Sequence, residues 1–237
     1  MAVKAREMSS MSNSISRIDF DSLVSARTSV RAFKNTPVPE AILAECVACA
    51  GLAPSNCNSQ PWSIEIVSGA TLARLKAAMV KTGETMDFAP DIPWLEKLYS
   101  DKLLARQAEH LTVMQTALGI RRDDKAARLK LVRQNFECFG APHLALLYMP
   151  TLGNEREAAD LGHFGQTFML ALTARGIASI PQTSIGMVPQ TIRGVLGLDY
   201  SRKLLYGISI GYELPGLPAS RIVQGRADYR EFTRFHL

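Results

Sequence analysis

Between residues 27 and 31 the chain reads Arg-Thr-Ser-Val-Arg, with two guanidinium groups and two hydroxyls in five residues. Fixed cations beside short neutral donors are what an anchored phosphate needs. The guanidinium gives charge-assisted, bidentate hydrogen bonds and the hydroxyls give neutral ones. A solvated turn uses the same residues, so the pentapeptide alone leaves both readings open. A second cationic run, Arg121, Arg122, Lys125, Arg128, Lys130 and Arg133, is interrupted by Asp123 and Asp124. It reads as a solvated helix face or as a site for an anion. Nucleic acid is the weaker partner, since no recognition motif or aromatic-rich basic strand accompanies the charge.

Other residue patterns carry less. Gly207-Ile-Ser209-Ile-Gly211 matches the G-x-S-x-G nucleophile elbow, and Asp228 and His236 follow in Ser…Asp…His order. The elbow must pass from a strand through a sharp turn into a helix. Here Tyr212-Glu-Leu-Pro-Gly-Leu-Pro218 follows, which cannot start a helix, and too little chain remains for a hydrolase sheet. A serine hydrolase using Ser209 is thus the weakest alternative, and a strand whose glycines allow close backbone approach is the stronger one. No G-x-G and no G-K-[ST] occurs, so the dinucleotide fingerprint and the P-loop are absent. His110, His143, His163 and His236 are isolated, and no metal site is expected. Cys46 and Cys49 form a single C-x-x-C inside a helical pattern and read as small apolar side chains on one face.

These residues need a scaffold. The chain has 237 residues, 47% hydrophobic and 21% charged, which suits one folded domain with an excursion and excludes global disorder. Its charge of +5 is mild. No apolar run reaches the roughly 18 residues of a membrane span, and the Ser-rich start lacks an apolar signal core. Residues 1–17 are therefore expected to be a disordered tail and 18–237 one domain. Four cysteines without a secretory signal point to a reducing, cytoplasmic setting. Apolar periodicity predicts helices at 19–26, from Pro39 in the first turn to Gly51, and at 70–80, 95–118, 122–137, 155–175 and 189–196. Strands are expected at 62–66, 143–148, 177–182 and 204–212, with a short strand or turn at 28–34. Strands interleaved with long helices give an α+β domain, sheet inside and helices outside.

Several blocks then fall in a fixed order. After Arg27–Arg31 comes Ala53-Pro-Ser-Asn-Cys-Asn-Ser-Gln-Pro-Trp62, then Asn135 with Phe139-Gly-Ala-Pro142, and Asp160-x-Gly162-x-x-x-Gln166. Gly176-Ile-Ala-Ser-Ile-Pro-Gln-Thr-Ser184, Gly207–Tyr212 and Arg226 complete the series. In this order they resemble the FMN-dependent nitroreductase family over about residues 20–232. The resemblance implies a central, mostly antiparallel sheet surrounded by helices, in an intertwined homodimer with FMN at the subunit interface. It implies NADH or NADPH as donor, and nitroaromatics, quinones or related electron-poor small molecules as acceptors. Donor and acceptor would alternate in a ping-pong cycle. A nicotinamide that stacks on the flavin needs no dinucleotide fold. A flavin-binding protein without turnover is the alternative from another class. No nucleic acid or membrane partner is implied.

The same resemblance assigns residues. Arg27, Ser29 and Arg226 stand where the family contacts the FMN phosphate, with Thr28 between the first two. Relatives often carry a second arginine where Thr28 stands, and an R-x-x-R-x-P-L tail where this chain has Arg221 to Tyr229; Arg226 fits the phosphate better than Arg221. Arg31 matches the basic residue near the flavin N1/O2 edge, where a fixed cation stabilises the charge that grows on reduction. Pro54, Ser55, Asn56 and Asn58 match the loop that reaches the partner subunit's flavin. Pro181, Gln182, Thr183 and Ser184 match the segment along the reactive edge. Asn135, or its neighbour Gln134, stands where members contact the pyrimidine ring. No catalytic side chain is implied, because the flavin carries the chemistry. A variable helical excursion falls at about 82–118, with Met86, Phe88, Trp94 and Tyr99 as candidate lining residues or as its ordinary core.

Overall fold

A computed structural model describes residues 17–93, 95, 99–121, 123–217, 222 and 224–236. The tail expected at 1–17 lies outside the described residues except for Arg17, and so do Trp94, Arg122, Arg221 and Val223. The helices are α1 (Arg17–Ala26), α2 (Glu40–Ala50), α3 (Gly69–Thr85), α4 (Asp101–Ala117), α5 (Lys125–Phe136), α6 (Glu155–Thr173) and α7 (Pro189–Leu196). The strands are β1 (Ser63–Ser68), β2 (His143–Pro150), β3 (Ala178–Gln182) and β4 (Arg202–Gly211). They form one antiparallel sheet in the order β1-β2-β4-β3.

The middle strand explains the layering. His143–Met149 is buried residue after residue, as a continuous apolar run predicts for a strand covered on both faces. Leu144, Leu146 and Tyr148 join one core with Leu72, Leu75 and Met79 of α3, Phe136 of α5 and Ile192 of α7. Ala145, Leu147 and Met149 point the other way, to Leu43 and Cys46 of α2 and to Leu161, Phe164, Phe168 and Leu172 of α6. The α6 stripe read from the sequence is this second core. Its first turn is closed by a capping box: the Asn154 side chain accepts from the backbone, and Glu157 reaches back to the Asn154 N–H at 2.8 Å. At Gly165 the helix lies close on the sheet, where an added Cβ would sit 1.9 Å from the Tyr206 hydroxyl.

Boundaries differ from the periodicity in physical ways. α3 runs to Thr85 and stops where Met86 turns left-handed (φ 56°), so the excursion begins inside a helix. α4 starts only at Asp101, and α5 at Lys125, where the Asp124 carboxylate caps the Ala127 N–H at 2.9 Å. Pro39 precedes α2 as its cap rather than occupying its first turn. The 28–34 segment forms two isolated bridges, Ser29 with Ser179 and Phe33 with Glu213. Its Ser29 end therefore lies on the outer edge of β3, and its Phe33 end pairs with the chain just after β4. Beyond α3, the connection is pinned by Asp91, whose carboxylate takes two bonds from the buried Arg193 at 2.9 and 2.7 Å and one from the Leu204 N–H at 2.8 Å.

Candidate functional site

Ser209, the would-be nucleophile, lies mid-strand in β4, opposite Ile180, and is 0% exposed. Its hydroxyl donates to Gln182 Oε1. A Cβ at Gly207 would meet Ile185 at 2.8 Å and one at Gly211 would meet Pro142 at 2.6 Å. The two glycines thus serve close packing on a continuous strand, and Ser209 has neither the turn nor the access of an elbow.

The Arg27–Arg31 segment gains its position from the edge of β3. The Val30 N–H donates to the Ser179 carbonyl at 3.2 Å, and the Lys34 N–H to Tyr212 at 2.8 Å. This fixes Ser29 at the sheet edge and holds Arg27 and Arg31 half-buried beside it. Arg31 Nη1 donates back to the Ser29 carbonyl at 3.1 Å, and burial lowers its pKa. Burial also lowers the pKa of Arg27, and the guanidinium of Arg226 adds to it. Two residues almost two hundred positions apart are thus brought together with like charge. Arg226 Nη1 donates only to the carbonyls of Gln224 and Gly225, at 3.1 and 3.0 Å. Among the described residues no carboxylate pairs with Arg27, Arg31 or Arg226. Such a set fits a phosphate dianion, which removes the repulsion and takes up the free donors.

The Pro54–Asn58 loop is built elsewhere, on α6. Its Asn56 N–H donates to both carboxylate oxygens of Asp160, at 3.2 and 3.0 Å. The Gln60 N–H donates to Ser55 Oγ at 3.0 Å, and Trp62 stacks on Phe164 with 5.3 Å between ring centroids. These contacts hold Cys57, Asn58 and Gln60 in the left-handed region, with φ of 50°, 57° and 48°. Each such non-glycine residue costs roughly 1–2 kcal/mol. Pro54, Asn56 and Asn58 face solvent, beside an open depression of about 300 Å³ that Arg156, Ala159 and His163 of α6 complete. No hydrogen bond among the described residues joins this loop to Arg27, Ser29, Arg31 or Arg226. Sequence reasoning placed Asp160 in a block without giving it a role. The available signal was a carboxylate directly before the apolar stripe of a long helix.

The Pro181–Ser184 segment leaves β3 into a 3₁₀ turn at Thr183–Met187. Pro181 and Thr183 are exposed, whereas Gln182 is 3% exposed and points inward. Asn135, in the last turn of α5, meets it there: Gln182 Nε2 donates to the Asn135 carbonyl at 2.9 Å, and Ser184 Oγ to Asn135 Oδ1 at 3.2 Å. The Asn135 amide nitrogen is turned to the Leu131 carbonyl at 3.1 Å. Gln134, half-buried, makes no side-chain hydrogen bond among the described residues. Of the excursion residues, Phe88 packs against Phe136 at 6.0 Å and Met86 is exposed. α4 is tied to the chain's end, because Glu231 receives Lys102 at 2.8 Å and Arg106 at 3.1 Å.

Known proteins resemble this chain over most of its length. "Nitroreductase NfnB" of Mycolicibacterium smegmatis is 39% identical over 90% of this chain and 91% of its own. A "4-nitrobenzoate reductase" of Pseudomonas putida is 31% identical over 92% and 95%. The crystal structure of the FMN-dependent nitroreductase NfnB from Mycobacterium smegmatis in complex with NADPH superposes with a TM-score of 0.89 and 38% identity, covering 92% of this chain and 98% of that one. The family model described as "Nitroreductase family" matches residues 24–212, which span the sheet-edge arginines, the 54–58 loop and the 181–184 segment alike. By sequence and by architecture, then, this chain belongs to the nitroreductase family.

Proposed function

We propose that the protein is an FMN-dependent oxidoreductase that takes hydride from NAD(P)H and reduces nitroaromatics, quinones or related electron-poor acceptors. The observation that carries this reading is the like-charged pair of Arg27 and Arg226, with Ser29 held at the sheet edge two residues from Arg27, a donor set that no carboxylate of the described residues pairs. Arg27, Ser29 and Arg226 hold the phosphate and Thr28 spaces them. Arg31, half-buried, supplies the fixed cation for the ring's N1/O2 edge. Exposed Pro181 and Thr183, with Ser184, present backbone to the reactive edge. Asn135 spends its side-chain oxygen on Ser184, which leaves Gln134 as the better contact for the pyrimidine ring. When bound, FMN supplies hydride acceptance and return, so the chain needs no nucleophile or general base. NADPH, which the M. smegmatis relative binds, serves as donor here.

We further infer a homodimer. The Pro54, Ser55, Asn56 and Asn58 loop has no bond to its own arginine set, which supports service to the partner's flavin. Phe20, Leu111, Phe232 and Phe235 are 54%, 53%, 70% and 74% exposed, apolar area that a second copy can cover. The two cores on one sheet support a single domain from about residue 18, with the 82–118 excursion helical and α4 within it. No helix of the described residues is long and apolar enough to cross a membrane. Free Cys46, Cys49, Cys57 and Cys138 support a reducing cytoplasmic setting.

The test is direct. The purified protein should be yellow, release FMN on denaturation, sediment at about twice 26.0 kDa, and oxidise NADPH with 4-nitrobenzoate as acceptor. Initial-rate plots should be parallel. Colourless protein that fails to bind added FMN would refute the reading.

A further inference from the structure

Ser209 and Gln182 are polar, and both are inside: 0% and 3% exposed. Their bonds form a chain. Ser209 Oγ meets Gln182 Oε1. Gln182 Nε2 meets the Asn135 carbonyl at 2.9 Å and Asn135 Oδ1 at 3.4 Å. Ser184 Oγ meets the same Oδ1 at 3.2 Å, and Asn135 Nδ2 meets the Leu131 carbonyl at 3.1 Å.

The direction of this chain is forced. A backbone carbonyl only accepts, so the Gln182 amide must turn its NH₂ to Asn135 and its oxygen to Ser209. Ser209 must then donate. A flipped amide would set two carbonyls against each other. The Leu131 carbonyl fixes the Asn135 amide in the same way, with its oxygen toward Ser184 and Gln182. The Cys138 thiol also neighbours Ser209; burial pushes its pKa up to about 11, so no thiolate competes for the serine proton.

The chain starts in β4 at the centre of the sheet. It passes through the end of β3 and the last turn of α5, and ends at Ser184 in the 3₁₀ turn. We propose that Ser209 and Gln182 are positioning residues for the flavin site. Through Asn135 they lock the Pro181–Ser184 segment to the end of α5, and so set the reactive edge against the pyrimidine contact. Neither side chain touches the cofactor. The inference rests on the FMN reading above. In this reading Gln182 serves the flavin only through the backbone of its segment, while its side-chain amide works inward.

A merely structural pair would lower stability and nothing else. The experiment compares the FMN-loaded parent with Ser209→Ala, Gln182→Met and the double variant, at matched FMN occupancy. Three quantities are read: melting temperature, flavin midpoint potential, and the single-turnover rate of reduction by NADPH. Ser209→Ala should change the ratio of affinities for reduced and oxidised FMN about threefold, a potential shift of about 14 mV. It should slow reduction about threefold. Gln182→Met should do both about tenfold, and the double variant should match Gln182→Met within twofold, because one chain is broken once. Unchanged potential and rate in Ser209→Ala, with only the melting temperature lowered, would overturn the proposal; so would additive effects. If Gln182→Met does not fold, Ser209→Ala decides alone. If the parent binds no FMN, the cofactor reading fails instead. The lock is then read in the apoprotein, where the Gln182 side-chain amide protons should be protected from exchange in the parent and exposed in Ser209→Ala; equal protection in both would overturn it.

Discussion

Asp160 offers a quantitative test of how the 54–58 loop is held. The residue is 6% exposed, and both its oxygens receive the Asn56 N–H, at 3.2 and 3.0 Å. A hydrogen bond to a charged group contributes about 1.5–3 kcal/mol. The same loop carries three left-handed non-glycine residues, Cys57, Asn58 and Gln60, at roughly 1–2 kcal/mol each. The bond to Asp160 is therefore comparable to the strain of one or two of them, and its loss should let the loop relax. If the loop serves the flavin, Asp160→Ala should weaken FMN binding by about 10- to 150-fold, the range that 1.5–3 kcal/mol implies. Asp160→Asn keeps an acceptor without its charge, and a neutral bond is about half as strong. It should cost about 3- to 12-fold. Fluorescence titration of apoprotein with FMN measures both. Equal affinity in all three proteins would separate the loop from the cofactor; a larger loss for Asn than for Ala would show that something other than this bond is at work.

Removing one member of the like-charged arginine pair should act oppositely on the two forms: Arg226→Ala should weaken FMN binding about 10- to 150-fold yet leave the apoprotein's melting temperature equal or higher, and a lower apo value would contradict the repulsion. His143 should give stability an acid limb. Its Nε2 accepts the Val38 N–H at 2.8 Å, so Nδ1 carries the proton and donates to Ser68 at 2.5 Å. Burial lowers its pKa, so only the unfolded chain takes up a proton just below about pH 6.5. Stability should be flat above that pH and fall below it, by at most about 1.4 kcal/mol per pH unit, until the folded His143 also titrates. His143→Gln should flatten this limb in melting curves taken from pH 7.5 to 5. Arg193→Ala would leave the Asp91 carboxylate without its cation and with only the Leu204 N–H, at about 3–5 kcal/mol, a drop of roughly 6–20 °C in melting temperature; a shift under 1 °C would show that the pair holds nothing.

What could be read from the residues depended on range. The apolar stripe of α6 and the continuous run of β2 are local periodic signals, and both elements lie where periodicity puts them. α7, from Pro189 to Leu196, follows its proline and glycine punctuation. α4 begins later than the apolar pattern predicts: Leu95 and Tyr99 extend that pattern toward the N-terminus, whereas the start is marked by the polar pair Ser100-Asp101, with Ser100 at the cap position. The proposed phosphate set was legible only by resemblance, since nothing local relates Arg27 to Arg226; the fold alone brings their charges within reach of each other. Asn135 and Gln182 were legible as members of blocks but not in their direction. Which side of Gln182 faces the core follows from pairing with β4, and a sequence does not state its register. Asp160 was hidden for a similar reason: its partner is a backbone N–H, which no residue type advertises.

Gly165 gives the site a mechanical property. The helix rests on the sheet at one bare backbone position, against the Tyr206 hydroxyl and, at 3.2 Å from an added Cβ, Leu147. That contact acts as a fulcrum. Asp160 sits five residues toward the N-terminus of the same rigid helix, about 7.5 Å along its axis. Any side chain at the fulcrum must displace either the Tyr206 ring or the helix, and a lift of the helix is delivered to Asn56 by the arm that carries Asp160. The loop can therefore be retuned from beneath. Tyr206→Phe removes the nearest obstacle to a methyl at Gly165, so the two positions together set the height at which α6 holds the loop, without altering any residue that the loop itself displays.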